Sequence, residues 1–264
     1  MSIAVLGSSR AGALVVPAIR GLAAVGLAGI LVGVPTGLVS RAIMKISALA
    51  AGPVVNGVHT SNGNAVGDFT ANGTFALVIF AGVVPAISAG LLYLGVRPWL
   101  LGLGRWRGLA LGAYGLALTG FAVLEPGNND FVRFGPPALN IAMFAALFIG
   151  VGIAVAPIAD ASLRVAERPS PGQVVLLVPG LLLAALVTVA LAATTATAWT
   201  ARARGEHFGG ADAAALLFLS VAIGLLAQRS RTARPVLLAI LAALLVFGAW
   251  VTGGAMRILL ALAF

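Results

Sequence analysis

Seven stretches of this chain run for 16 to 33 residues without an Asp, Glu, Lys or Arg: 21–40, 69–96, 108–124, 134–159, 169–201, 213–228 and 235–256. An α-helix rises about 1.5 Å per residue, so roughly 20 apolar residues cross the ~30 Å hydrocarbon core of a bilayer. No other feature constrains the fold as much. In lipid every backbone polar group must be satisfied inside the protein, and an α-helix does this alone. Composition removes the alternatives: 9% of residues are charged and 61% hydrophobic, against about 25% charged in soluble domains. A water-soluble globule could not be given a polar surface from so few charges. Disorder is excluded by the abundance of Leu, Val, Ile and Phe.

One further charge-free stretch, 46–67, does not read as a span. His59, Thr60, Ser61, Asn62, Gly63 and Asn64 follow Gly52, Pro53, Asn56 and Gly57, a chemistry of turns whose backbone would go unsatisfied in lipid. The prediction is an all-α, polytopic transmembrane helical bundle of about seven spans, one integral membrane domain over 1–264. The spans lie near 21–40, 75–96, 108–124, 137–157, 174–199, 212–228 and 235–256, with 50–74 as an ordered external loop cap. The 213–228 stretch is the shortest, and six spans remain if it does not cross. The start, Met1 to Ser9, lacks the positive region of a signal peptide, so the first span is expected to be retained. Residues 11–19 are expected to extend it as a helix near the interface, broken or bent at Pro17.

Net charge is +9, carried by 15 Arg and one Lys scattered between apolar runs, a placement that suits membrane orientation and argues against nucleic acid. With seven alternating spans, ten positive charges (Arg10, Arg20, Arg97, Arg105, Arg107, Arg164, Arg168, Arg229, Arg231 and Arg234) fall on one side and six on the other. The positive-inside rule then puts the N-terminus in the cytoplasm and the C-terminus outside. The Arg, Ala, Gly and Val bias points to a GC-rich bacterial source, and so to a bacterial plasma (inner) membrane. Trp99, Trp106, Trp199 and Trp250 all fall near proposed span ends, where indole rings prefer to sit.

Helices in lipid associate through small residues that let backbones approach. Gly29, Gly33 and Gly37 recur every four residues, Gly104, Gly108 and Gly112 open the third span, and Ala142, Ala146, Gly150 and Ala154 stripe the fourth. These faces are expected to build the bundle itself, with one of them available for self-association or a membrane-protein partner. Pro35, Pro85 and Pro179 lie inside spans and remove backbone donors.

Chemistry is sparse. Cysteine is absent, which removes disulfides, thiolate metal sites and Cys nucleophiles. No ionisable residue sits at a span centre, disfavouring an acidic proton relay, and no nucleophile elbow, phosphate loop or dinucleotide fingerprint occurs. No cofactor is expected. The neutral polar residues Tyr114 and Asn140 lie in spans, and Asn140, one turn below the outer loop, could point into a cavity. Arg41 and Lys45 are four apart on a helix leaving the membrane and could clamp a lipid phosphate. His59 and His207 are weak metal candidates among the outer carboxylates, without helical ligand spacing. Asp68, Asp130 and Arg133 are expected in the external cap, where Asp130 and Arg133 can pair and Pro136 and Pro137 start a helix.

Across roughly 37–160, the runs Arg41 to Lys45, Asp68 to Thr74, Gly90 to Tyr93, Arg97 to Leu100, Arg107-Gly108 and Asp130 to Pro137 resemble a group of uncharacterised multi-pass bacterial integral membrane proteins of unknown function. The resemblance implies no activity. The sequence reading is a non-enzymatic multi-pass membrane protein, an accessory or interaction subunit of a membrane assembly. Its alternative is a permease for a small neutral or lipid-like substrate.

Overall fold

The computed structural model describes residues 10–55, 58–59, 70–124, 134–203 and 209–261, which are helical almost throughout. The first helix, α1 (Arg10–Ala51), is 42 residues long and continues through Pro17 and Pro35. The helix is not broken at Pro17. Its buried hydroxyls are satisfied locally, Thr36 donating to the Val32 carbonyl at 2.8 Å and Ser40 to that of Thr36 at 3.0 Å, as Ser and Thr do in apolar helices. A 3-10 turn, Gly52–Val55, ends it.

The second pass is assembled from three pieces: α2 (Ala71–Leu77), a π-helical turn (Val78–Val83) and α3 (Val84–Leu100). Thr70 caps α2, its side chain accepting from the Gly73 amide at 3.2 Å. Pro85 has no N–H to give the carbonyl one turn back, and the wider π turn immediately upstream absorbs that loss. Pro98 does the same to the carbonyl of Leu94. Here the replacement donor comes from elsewhere: Gln228 Nε2 bonds the Leu94 and Gly95 carbonyls at 2.9 and 2.7 Å.

Residues Leu101–Trp106 form a tight 3-10 turn in which Gly104 takes φ 52, ψ −120, backbone that a side chain resists. The chain reverses there into α4 (Arg107–Val123). Four long helices follow: α5 (Pro137–Glu167), begun by the proline pair as the sequence predicts, α6 (Pro171–Ala203), α7 (Gly210–Arg229) and α8 (Arg234–Ala261).

Six helical segments are long and apolar enough to cross a membrane, one of them the 53-residue Ala71–Val123. That segment folds back on itself at Gly104. Gly29 faces Ile87 and Gly33 faces Val83, so α3 opposes α1, while Gly108 faces Ile153 and Gly112 faces Ile149, so α4 opposes α5. Ser47 meets Asn140, and Ala24 clusters with Ala166, so α5 in turn opposes α1. It follows that α4 is antiparallel to α3 and that the described residues make seven apolar passes. The short 213–228 stretch lies within one of them, the 20-residue α7. One end of the bundle carries the turns at 101–106, 168–170 and 230–233 and is called here the arginine end; the opposite, loop end carries 52–55, Thr70, Leu124, 134–136 and Gly209.

Two of the predicted small-residue faces are consumed inside the bundle. A Cβ added at Gly29, Gly33 or Gly37 would run into α3 or the π turn, one at Gly108 or Gly112 into α5, and Gly26 meets Gly180 where α1 crosses α6. The third face behaves differently: Ala142, Ala146 and Gly150 are exposed, and nothing lies within 4 Å of a Cβ built on Gly150. The main core gathers Leu92, Tyr93, Leu111, Leu118, Phe121 and Val155. Val175, Leu182, Leu186 and Val189 project from α6, an apolar exterior that fits a bilayer and not water.

Candidate functional site

The most concentrated polar chemistry sits at the arginine end, on three helices. Tyr93 and Arg97 are one turn apart on α3 and so share a face; Arg107 opens α4, and Asp160 lies seven residues before the end of α5. The Asp160 carboxylate is 5% exposed. Arg97 Nε donates to its Oδ1 at 2.8 Å, while Arg107 Nη1 and the Tyr93 hydroxyl donate to its Oδ2 at 2.8 and 2.9 Å. A buried carboxylate in apolar surroundings is tolerated only when paired and hydrogen-bonded, and here both oxygens are engaged. The two arginines flank the hairpin turn and converge on a third helix, so the knot fixes the α3–α4 hairpin to α5. With two guanidiniums on one carboxylate it retains a surplus positive charge.

A second polar knot lies at the loop end. Asn140 on α5 accepts from the Ser47 hydroxyl at 2.7 Å and donates to the Phe134 carbonyl at 2.9 Å, beside an apolar cluster of Ala48, Val55 and Phe134. Asn140 and Asp160 are 20 residues apart on α5, about 30 Å at 1.5 Å per residue, which is the thickness of the hydrocarbon core. The two knots are thus separated by about one hydrocarbon thickness, and Arg97 keeps 40% of its side chain exposed while bonded to the buried Asp160 carboxylate.

Between the knots the bundle holds a cavity of about 440 Å³ bounded by α3 and the π turn, α4, α5 and α7, with Leu191 of α6. Phe80, Ser88, Leu111, Gly115, Phe148 and Leu217 are among its walls. On α5 the lining runs from Phe144 to Gly152, beginning about 6 Å inside the Asn140 boundary and stopping about 12 Å short of Asp160. The cavity thus lies between the two knots. Its origin is the second pass: the π turn is pressed onto Gly33 and Gly37 of α1 and stands away from α4 and α5, whereas α3 beyond it is drawn to them by the Asp160 knot. Phe80, on the π turn, is 74% exposed, so one wall reaches the lipid-facing surface. Ser88 and Thr119 are the hydroxyl-bearing residues of the lining, and Thr119 already bonds the Gly115 carbonyl at 2.9 Å. The space selects for an apolar occupant.

The predicted site residues fall in separate places. Arg41 is 3% exposed, held inside the loop end instead of stretched along lipid, and Lys45 is half-buried one turn on. Tyr114 packs at the edge of the main core, and neither it nor Asn140 is part of the cavity lining. His59 is exposed. Asp68, Asp130, Arg133 and His207 lie outside the described residues, and among the described residues no group of three His, Cys, Asp or Glu could hold a metal ion.

The Asp160 knot escaped the sequence reading because a charge-free window ends by definition at Asp160, which turned a buried helical carboxylate into the first residue of a loop. Two signals were present. Tyr93 and Arg97 have helical spacing, and α5 needed another turn beyond Ala159 to carry the polar face of its C-terminal end. No known protein family, curated protein or solved structure matches the chain, so the functional reading rests on its own residues.

Proposed function

We propose that this chain is a non-enzymatic membrane carrier for a small neutral or lipid-like molecule, taken up between the helices from the bilayer. The observation that carries the reading is the apolar cavity of about 440 Å³ between the two polar knots, a volume in the ~300–1,000 Å³ range of ligand sites. The Asp160 knot gives it a seal toward the arginine end, and the exposed π turn at Phe80 gives it a side on the lipid. The test is photolabelling with a diazirine-bearing fatty alcohol in proteoliposomes, followed by peptide mapping. Label on Phe144–Gly152 and 111–123 that is abolished by Gly115→Leu supports the carrier; label spread evenly over lipid-facing helices, indifferent to Gly115→Leu, refutes it.

A second reading, an accessory subunit of a membrane assembly, is favoured by one observation: the exposed Ala142, Ala146 and Gly150 face on α5, flat enough for a second helix to approach. Cross-linking through Ala146→Cys to a partner or a second copy at stoichiometric yield supports it.

In either case we place the protein in a bacterial inner membrane with the arginine end in the cytoplasm, following the ten-to-six division of positive charge. A Cys at Asn62 and one at Thr232 then label from opposite sides of oriented membranes, against the Cys-free background of the native chain.

A further inference from the structure

The arginine end holds a second cavity, of about 580 Å³, outside the bundle interior and formed by Gly104, Arg105, Trp106, Arg107, Leu109 and Ile153, with Gly108 and Pro157 completing it. Its chemistry divides by depth. At the turn, Arg105 stacks over the exposed Trp106 ring at 5.1 Å and has no acidic partner among the described residues. Arg107 commits Nη1 to Asp160, and a guanidinium offers five N–H donors, so the rest of its fork remains for another acceptor. One helical turn further into the membrane the walls are Leu109 and Ile153, both exposed large hydrophobics. Gly104 supplies no side chain and nothing lies within 4 Å of a Cβ built on it, which helps leave the space.

We infer that this cavity is a binding site for the headgroup of an anionic phospholipid, with the phosphate between Arg105 and Arg107, the glycerol region against Trp106, and an acyl chain laid along Leu109 and Ile153. Four features meet here that a phospholipid also combines: a positive surplus, since Arg97 and Arg107 pair with the single Asp160 carboxylate and Arg105 lies beside them without an acidic partner among the described residues; an indole, which prefers headgroup depth; an apolar wall of Leu109 and Ile153; and a position beside the polar knot at the arginine end. Basic pockets between transmembrane helices hold anionic headgroups by this combination. A free phosphate would use the guanidiniums alone and leave the apolar wall without purpose. The site is distinct from the cavity between the knots and does not depend on the carrier reading.

The experiment is native mass spectrometry of the purified full chain titrated with phosphatidylglycerol, and separately with phosphatidylcholine of the same acyl chains. The wild type is expected to retain one phosphatidylglycerol preferentially. Arg105→Gln lowers the apparent affinity about fivefold, as expected for one interfacial cation, Arg105→Lys loses less because charge remains without the planar fork, and Arg231→Gln, an equal charge loss on the neighbouring turn, leaves it unchanged. Arg105 is exposed and outside the Asp160 knot, so folding of its variants is not at issue. The inference is overturned by any of three results: no preference for phosphatidylglycerol over phosphatidylcholine, equal losses in Arg105→Gln and Arg231→Gln, or displacement of the lipid by tens of millimolar inorganic phosphate.

Discussion

Replacing Asp160 by Asn tests whether the knot at the arginine end is a structural clamp. The substitution preserves shape and one acceptor oxygen but removes the charge to which Arg97 and Arg107 both bond at 2.8 Å. Two unit charges 4 Å apart interact by about 4 kcal/mol at an effective dielectric of 20. Arg97 and Arg107 keep 40% and 28% of their side chains exposed, so solvent screening takes roughly half of that from each. What remains, about 2 kcal/mol per pair, is partly returned by hydrogen bonds to the amide, and the unopposed guanidiniums repel. The net cost is about 3 kcal/mol, at the low end of the ~3–5 kcal/mol for breaking a buried pair by deleting one partner. An ordering follows that any other role of Asp160 would not produce: Asp160→Asn destabilises more than Arg107→Gln, which destabilises more than Arg97→Gln, because either arginine variant still leaves the carboxylate one cation. In the double variant Arg97→Gln/Asp160→Asn the loss is smaller than the sum of the singles by about 1–2 kcal/mol. The assay is reversible unfolding of the four variants in lipid nanodiscs or mixed micelles. Equal stability of Asp160→Asn and wild type, or additivity in the double variant, refutes the clamp.

Other substitutions follow from the packing. On α4, Gly112→Ala drives a Cβ to 2.6 Å from the Ile149 backbone and is expected to cost about 1–3 kcal/mol by overpacking; Gly115→Ala, with its nearest neighbour at 3.9 Å in the cavity wall, is expected to be neutral or to gain up to about 1 kcal/mol of helix propensity, and the two are distinguished by the same unfolding assay. Gln228→Leu strips the donor from the Leu94 and Gly95 carbonyls and is expected to cost about 1 kcal/mol, with faster amide exchange confined to the Arg97–Leu101 turn. Asn140→Leu strips the donor from the Phe134 carbonyl and leaves the Ser47 hydroxyl its bond to the Ile43 carbonyl at 3.1 Å, an expected loss of about 1–2 kcal/mol, whereas Ser47→Ala, which leaves Asn140 its bond to Phe134, costs less.

The passes were legible because crossing a bilayer imposes a length and an absence of charge that a linear scan detects. The helices exceed those windows at most ends: α5 runs to Glu167 and α1 to Ala51, since a helix continues through the headgroup region while the charge scan stops at its first ionised residue. That rule also hid the knot. Asp160 and Arg97 each bounded a window, and both were assigned to turns when each lies inside a helix. Prolines could be located in the sequence but their compensation could not, because the partners are remote: Gln228 is more than a hundred residues from the carbonyls that it satisfies. Thr252 is a similar case, its hydroxyl accepting from the Phe121 amide and donating to the Ala117 carbonyl, both at 3.1 Å, so that a side chain of α8 bridges one rung of α4. Pairings of this kind depend on which helices are neighbours, and the small-residue stripes that decide it look alike in sequence whether they pack inside the chain, as at Gly33, or face outward, as at Gly150.

The cavity itself arises from opposed constraints on one pass. Near the loop end, Gly33, Gly37 and Gly82 let the π turn approach α1 so closely that no side chain fits between them, while Pro85 prevents the helix from continuing in regular register. Near the arginine end, Tyr93 and Arg97 hold α3 toward Asp160 on α5, and Gln228 ties it to α7. The pass also packs along α1 beyond the π turn, at Gly29 against Ile87 and at Val25 against Gly90, so the space lies on its other side, toward α4 and α5, with the exposed Phe80 at its edge. The two ends of the pass are held by different chemistry, apolar close contact on one side and charge on the other: releasing the charge at Asp160 would loosen the Tyr93–Arg97 end, and filling the notch at Gly33 would push the π turn off α1.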